Sequence, residues 1–135
     1  MTRAVLDTHI FLWWYQDAPR HLSLTQKRLL ERIDEEGEFV ISVITLWEIA
    51  KLAAGKRIAI PRPLDLFLAE IVTYPRLHVE PLGPRILATS ATLPNFHRDP
   101  ADEIITATAY CLGLPLITSD GRIRKWAKSG TIAVV

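Results

Sequence analysis

RAVLD at residues 3–7 sets Val5 and Leu6, which favour buried extended backbone, directly ahead of an acid. Short apolar runs closed by polar residues read as strands buried on both faces. FVIS at 39–42 and PLITS at 115–119 repeat the pattern, and TIAVV at 131–135 supplies a fourth strand. Helical signals lie between them. Ser23 and Gln26 make a capping-box pattern before a segment running to about Glu36, which Gly37 closes. Ser42 caps the next helix, where Val43, Leu46, Ile49, Ala50 and Ala53 recur at helical spacing until Gly55. Pro63 opens a helix through Ile71, LHVEPL gives a strand from Leu77 to Leu82, and Arg85 to Thr92 reads as helical. Asp99-Pro100 then places a capping acid before a proline at the first helical position. Ile104, Ile105, Thr108, Cys111 and Leu112 make one face of that helix, and Gly113 ends it. Buried strands alternating with helices imply a parallel sheet covered on both sides, an α/β sandwich.

The bulk composition agrees with this architecture. The 135 residues, 49% hydrophobic and 23% charged, match one ordinary globular domain rather than a disordered chain. One cysteine, Cys111, leaves no intramolecular disulfide framework and suits a reducing compartment, so the expected location is cytoplasmic. Asp7 interrupts what would have to be the apolar core of an export signal, and no apolar run approaches the roughly 20 residues of a membrane span. With 16 Lys and Arg against 15 Asp and Glu, the net charge of +1 gives no general affinity for polyanions. Any nucleic-acid surface must be local.

In open α/β sheets, ligands bind beyond the carboxyl ends of the strands, where loops and helix N-termini converge. Asp7 and Asp120 stand at such ends, while Asp102 and Glu48 fall in the first and second turns of their helices. Crowded carboxylates repel one another, so four of them on one side are better explained by a divalent cation than by stability. Hard oxygen ligands suit magnesium or manganese, and such an ion both activates water and stabilises charge on a phosphate. Each acid also has an ordinary structural use. Asp7 and Asp120 can cap the helices that follow them, Glu48 can pair with Lys51, and Asp102 can favour its helix dipole. It is their combination that points to chemistry.

AVLDTHIFLWW (4–14), ISVITLWEIAKL (41–52), HRDPADEIITATA (97–109) and PLITSD (115–120) carry these acids in order. Together they resemble the PIN-domain family, and more narrowly the ribonuclease toxins of VapBC-type toxin-antitoxin pairs, from end to end. The resemblance implies a PIN-like α/β/α sandwich with a central parallel sheet, in one domain over residues 1–135. It assigns Asp7, Glu48, Asp102 and Asp120 to metal binding, with Thr118 as a supporting hydroxyl near Asp120. Asp99 is left as a cap or an auxiliary metal contact. It further implies Mg2+ or Mn2+, cleavage of RNA, a homodimer, and a small antitoxin whose peptide covers the cleft.

Arg98, Arg122, Arg124 and Lys125 flank this presumed cleft and are candidates for RNA phosphates, against the alternative of a solvated basic surface. His9, His21, His78 and His97 lack the spacing of a histidine metal site, although His9 and His97 lie near the acids. Cys111 is expected as a buried inert thiol. Phe11, Leu12, Trp13 and Trp14 are too apolar for one free helix face, so most are expected in the core and some at a dimer or antitoxin contact. Two rival functions remain. One is a phosphatase using Asp7 as nucleophile, disfavoured by His9 where that class has a second Asp. The other is a catalytically silent module that binds RNA or a partner.

Overall fold

The computed structural model describes residues 1–135. Its elements run β1 (Arg3–Leu6), α1 (Thr8–Tyr15), α2 (Leu24–Glu36), β2 (Glu38–Ser42), α3 (Val43–Ala54) and α4 (Leu64–Ile71). They continue as β3 (Leu77–Glu80), α5 (Pro84–Ala91), α6 (Pro100–Leu112), β4 (Leu116–Ile117) and α7 (Gly121–Ala127). The four strands form one sheet in the order β3-β2-β1-β4, and every pairing is parallel.

Period-two alternation divides the core between the two sheet faces. Ala4, Leu6, Phe39, Ile41 and Ile117 point to one side, where Ile10 and Phe11 of α1, Leu30 and Ile33 of α2, Ile49 of α3, and Phe67 and Ile71 of α4 cover them. Val5, Val40 and Leu116 point to the other, against Ile105 and Ala109 of α6 and Ile123 of α7. Helix ends follow local chemistry. Ser23 and Gln26 complete a reciprocal capping box, Ser42 caps α3, and Gly113 at φ 65° closes α6 in the left-handed conformation. Gly37 has a packing reason as well: a Cβ there would lie 2.0 Å from the Thr2 carbonyl oxygen, which accepts the Glu38 amide at the β1–β2 edge.

Three details of the sequence reading change. TIAVV is not a full strand; it contributes a single parallel bridge from Val134 to Leu116 on the outer edge of β4. Hydrogen bonds Leu116 N to Ala133 O and Thr118 N to Val135 O continue that pairing, but β4 is too short to support a longer ladder. β3 stops at Glu80, ahead of Pro81, whose ring nitrogen has no hydrogen to donate to a ladder. On α6, Ile105 and Thr108 are buried as expected, whereas Ile104, Cys111 and Leu112 are half-buried. The thiol of Cys111 lies at the seam with α5, near the Thr89 hydroxyl and the Arg85 carbonyl. Its expected complete burial fails because α6 meets the sheet through Ile105 and Ala109 instead.

Candidate active site

The strand order reverses between β1 and β4, so the helices following these two neighbours depart to opposite faces and leave a crevice at the strands' carboxyl ends. Asp7 closes β1. Its Oδ1 accepts the Thr8 amide at 2.8 Å, capping α1, while its Oδ2 accepts the Thr118 hydroxyl at 2.6 Å. Asp120 follows β4 and caps α7, its Oδ1 accepting the amides of Arg122 at 2.8 Å and Ile123 at 3.0 Å. Thr118 ties the two ends together, because its oxygen also accepts the Asp120 amide at 3.0 Å.

The other acids arrive from helices. Asp102 projects from the first turn of α6, and its Oδ2 lies 2.7 Å from His97 Nε2. Asp99 caps the same helix by accepting the Asp102 amide at 3.2 Å. Glu48 reaches in from α3 and accepts the Thr8 hydroxyl, which also lies 3.1 Å from the Thr45 hydroxyl. Asp7, Glu48, Asp99, Asp102 and Asp120 thus line one cleft of about 310 Å3, in which Arg122 is the only Lys or Arg. Its Nη2 lies 3.5 Å from both Asp102 Oδ2 and Asp120 Oδ2.

Electrostatics separates these groups. Burial raises the Asp7 carboxyl above its ordinary value against the pull of its two donors. Glu48 and Asp102 are raised by burial too; one hydrogen bond each, from Thr8 and His97, pulls them down, and neighbouring carboxylates push them further up. Burial alone would raise Asp120, but the amides of Ile123 and Arg122 and the Arg122 guanidinium outweigh it and hold the carboxyl below its ordinary value. Burial thus dominates at three of the acids, while at Asp120 two helix-terminal amides and a guanidinium outweigh it.

Hard oxygen donors with an unmet demand for charge fit a divalent cation such as magnesium or manganese. Ligand atoms of His97, Asp102 and Asp120 already lie within 4.8 Å of one another.

Residues 4–129 match the PIN domain family. The chain belongs to the PIN-domain family. This PIN domain is 35% identical over 127 residues, 92% of each chain, to Ribonuclease VapC22 of Mycobacterium tuberculosis. Its fold resembles the crystal structure of VapBC2 from Rickettsia felis bound to a promoter DNA fragment, with TM-score 0.67 and 15% identity, covering 98% of this chain and 97% of that one. It also resembles a toxin-antitoxin complex from Klebsiella pneumoniae, with TM-score 0.65 and 22% identity over 98% and 95% of the chains.

All four acids singled out in the PIN-domain sequence meet in the cleft, and Asp99 joins them while serving as a cap. Thr118 contacts Asp7 as well as Asp120. The basic residues divide. Arg122 faces the acids, Arg124 donates to the Thr118 carbonyl at 3.0 Å, Lys125 lines an adjoining groove, and Arg98 is exposed. Phe11 and Leu12 are buried; Trp13 and Trp14 are half-buried, and Trp14 donates to the Tyr74 hydroxyl at 3.0 Å. Sequence reading missed the roles of two residues. Thr8 is signalled only by following Asp7, while His97 lies near the acids in sequence but lacks the spacing of a histidine site, and its contact with Asp102 is not foreseen.

Proposed function

We propose that this PIN domain is a metal-dependent endoribonuclease, the toxin of a type II toxin-antitoxin pair. The observation that carries the reading is the meeting of five carboxylates at the β1/β4 reversal with Arg122 as their one guanidinium partner. The VapC22 relative, called a ribonuclease, supports the substrate class. Asp7, Glu48, Asp102 and Asp120 would hold Mg2+ or Mn2+, with Asp99 as an auxiliary contact. Such an ion, when bound, supplies an activated water and neutralises charge developing on the phosphodiester.

The chain's own residues prepare that site. Thr118 and the Thr8 amide fix both oxygens of Asp7, and the Thr8 hydroxyl fixes Glu48, so these carboxylates are oriented before any ion arrives. His97 does the same for Asp102. Arg98, Arg122, Arg124 and Lys125 are proposed to meet RNA phosphates, with Arg124 also anchoring the β4 end. The phosphatase alternative loses ground because His9 stands where that class places a second Asp and because it gives no role to Glu48, which lines the same cleft.

An antitoxin peptide over the cleft belongs to the same reading. Trp47, exposed beside Glu48 on α3, is an apolar anchor for it. A homodimer and a cytoplasmic setting complete the proposal; no helix is long and apolar enough to cross a membrane. The decisive test is cleavage of RNA by the purified protein with magnesium, manganese or chelator. Cleavage that persists in chelator removes the metal, and RNA binding with no cleavage under any condition makes the protein a silent module.

A further inference from the structure

Beside the acidic cleft lies a second depression of about 470 Å3, and Arg122 and His97 form part of its wall. Its volume falls in the range of about 300–1,000 Å3 that holds small ligands. Its chemistry is the reverse of its neighbour's. Arg122 and Lys125 contribute cationic groups and no carboxylate lines it, whereas five carboxylates line the cleft. Trp126 supplies an aromatic wall, held in place by donation from Nε1 to the Pro94 carbonyl at 2.7 Å and by edge-on packing against Phe96 at 5.1 Å. Phe96 in turn stacks on His97 at 4.3 Å, and His97 hydrogen-bonds to Asp102, so a chain of aromatic contacts links the groove to the Asp102 carboxylate. Asn95, held at φ 58°, adds a side-chain amide able to donate and accept.

A phosphodiester strand carries a charge at every nucleotide. A phosphate placed among the acids needs a bound cation, while its neighbour needs protein cations. The groove offers these one step away, together with a π-surface for a base. Resting on the ribonuclease reading, we propose that this groove is a nucleotide subsite for single-stranded RNA. Lys125 and Arg122 take the phosphate next to the scissile one, and Trp126 stacks its base.

The test measures binding of a short fluorescein-labelled oligouridylate in chelator, so that cleavage plays no part. Anisotropy is followed across a salt series for wild type, Lys125→Ala, Trp126→Leu and Arg32→Ala. Lys125→Ala should weaken binding and reduce the slope of log affinity against log salt by about 0.7, the share of one phosphate contact on a single strand. Trp126→Leu should weaken binding about five-fold or more with an unchanged slope, as loss of one stacked base requires. An abasic oligonucleotide separates stacking from structure: the Trp126 effect should vanish on it, while the Lys125 effect stays. Arg32, exposed on α2, should have no effect.

Unchanged affinity and slope in Lys125→Ala overturn the proposal, as does an equal loss in Arg32→Ala. Equal weakening of base-containing and abasic strands by Trp126→Leu overturns the stacking role. If that variant does not fold, Trp126→Met, which also lacks a ring, takes its place, and Lys125→Ala still decides. A groove that passes while cleavage fails leaves binding intact and removes only the ribonuclease reading; cleavage with no groove effect does the opposite.

Discussion

Asp102→Asn keeps the shape of the side chain and removes its charge, so it separates what this acid does for the fold from what it does for a cation. Asp102 and Asp120 present ligand atoms within 4.8 Å of each other. Two unit charges at that separation repel by about 0.9 kcal/mol in bulk water and about 3.5 kcal/mol at an effective dielectric of 20. Arg122, 3.5 Å from both, offsets part of this, but its side chain is 62% exposed and its contribution is reduced by solvent. Against the relief stands the hydrogen bond from His97, which weakens by about 1 kcal/mol when its partner becomes neutral. The net change is a gain of roughly 0–2 kcal/mol in chelator, a melting temperature unchanged or several degrees higher. Cleavage should fall on the order of 10²–10³-fold, the cost of removing one oriented electrostatic group. Asp99→Asn retains a good capping side chain, so its loss should be much smaller. Single-turnover RNA cleavage and thermal melts of both variants over a magnesium titration measure these effects. Near-wild-type cleavage by Asp102→Asn, or a deeper loss in Asp99→Asn, would refute the assignment. So would a magnesium-induced rise in melting temperature as large in Asp102→Asn as in wild type.

Thr118→Val removes the hydroxyl that donates to buried Asp7 and accepts from the Asp120 amide, so urea denaturation should show a loss of about 2–3 kcal/mol, with Thr118→Ser near wild type. Thr106 has a buried hydroxyl with no hydrogen-bond partner; Thr106→Val should be more stable by about 1 kcal/mol, and a clear loss would mean that the hydroxyl has a partner such as ordered water. In chelator, stability should rise as pH falls from neutral. Asp7, Glu48 and Asp102 are raised above 3.8, 4.5 and 3.8, so between those unfolded values and the folded ones the native state binds more protons than the unfolded chain. Asp120, shifted down from 3.8, acts oppositely, withdrawing its contribution as pH falls through its lower folded value. Urea midpoints across pH should therefore rise with mild acidification in chelator and stay flatter with magnesium; a steady fall on acidification in chelator contradicts the raised values.

What was legible in the sequence is what depends on near neighbours. The Ser23/Gln26 box, the Asp99-Pro100 start and the Gly113 stop are local chemistry, and each appears where the sequence put it. Strand ends were legible because an apolar run stopping at an acid fixes where the sheet's carboxyl edge lies, which is why Asp7 and Asp120 could be placed together. The contacts from His97 to Asp102, Thr8 to Glu48 and Arg122 across two acids were not. They depend on how separate elements dock and on which rotamer a side chain takes, and neither leaves a periodic trace. The overestimate of TIAVV has the same origin. Its residues favour strand, but the ladder it can form is limited by a two-residue β4.

Capping and chemistry fall on the same residues for a physical reason. Asp7, Asp99 and Asp120 each spend Oδ1 on the first-turn amides of α1, α6 or α7, so three helix N-termini point positive dipole ends at one crevice. Each end offsets carboxylate repulsion by about 0.3–1 kcal/mol, which makes the cluster tolerable to a fold with no ion bound. Glu48 stands apart, because it lies within α3 and receives a side-chain hydroxyl instead of an amide. Its carboxyl is raised, as are those of Asp7 and Asp102, whereas that of Asp120 is lowered. Capping also leaves the second oxygens available to other partners: Asp120 Oδ2 to Arg122, Asp7 Oδ2 to Thr118. The fold thus holds the acids close by using half of each capping carboxylate as structure, and the shortage of positive charge that persists at Asp7, Glu48 and Asp102 is what a divalent cation can relieve.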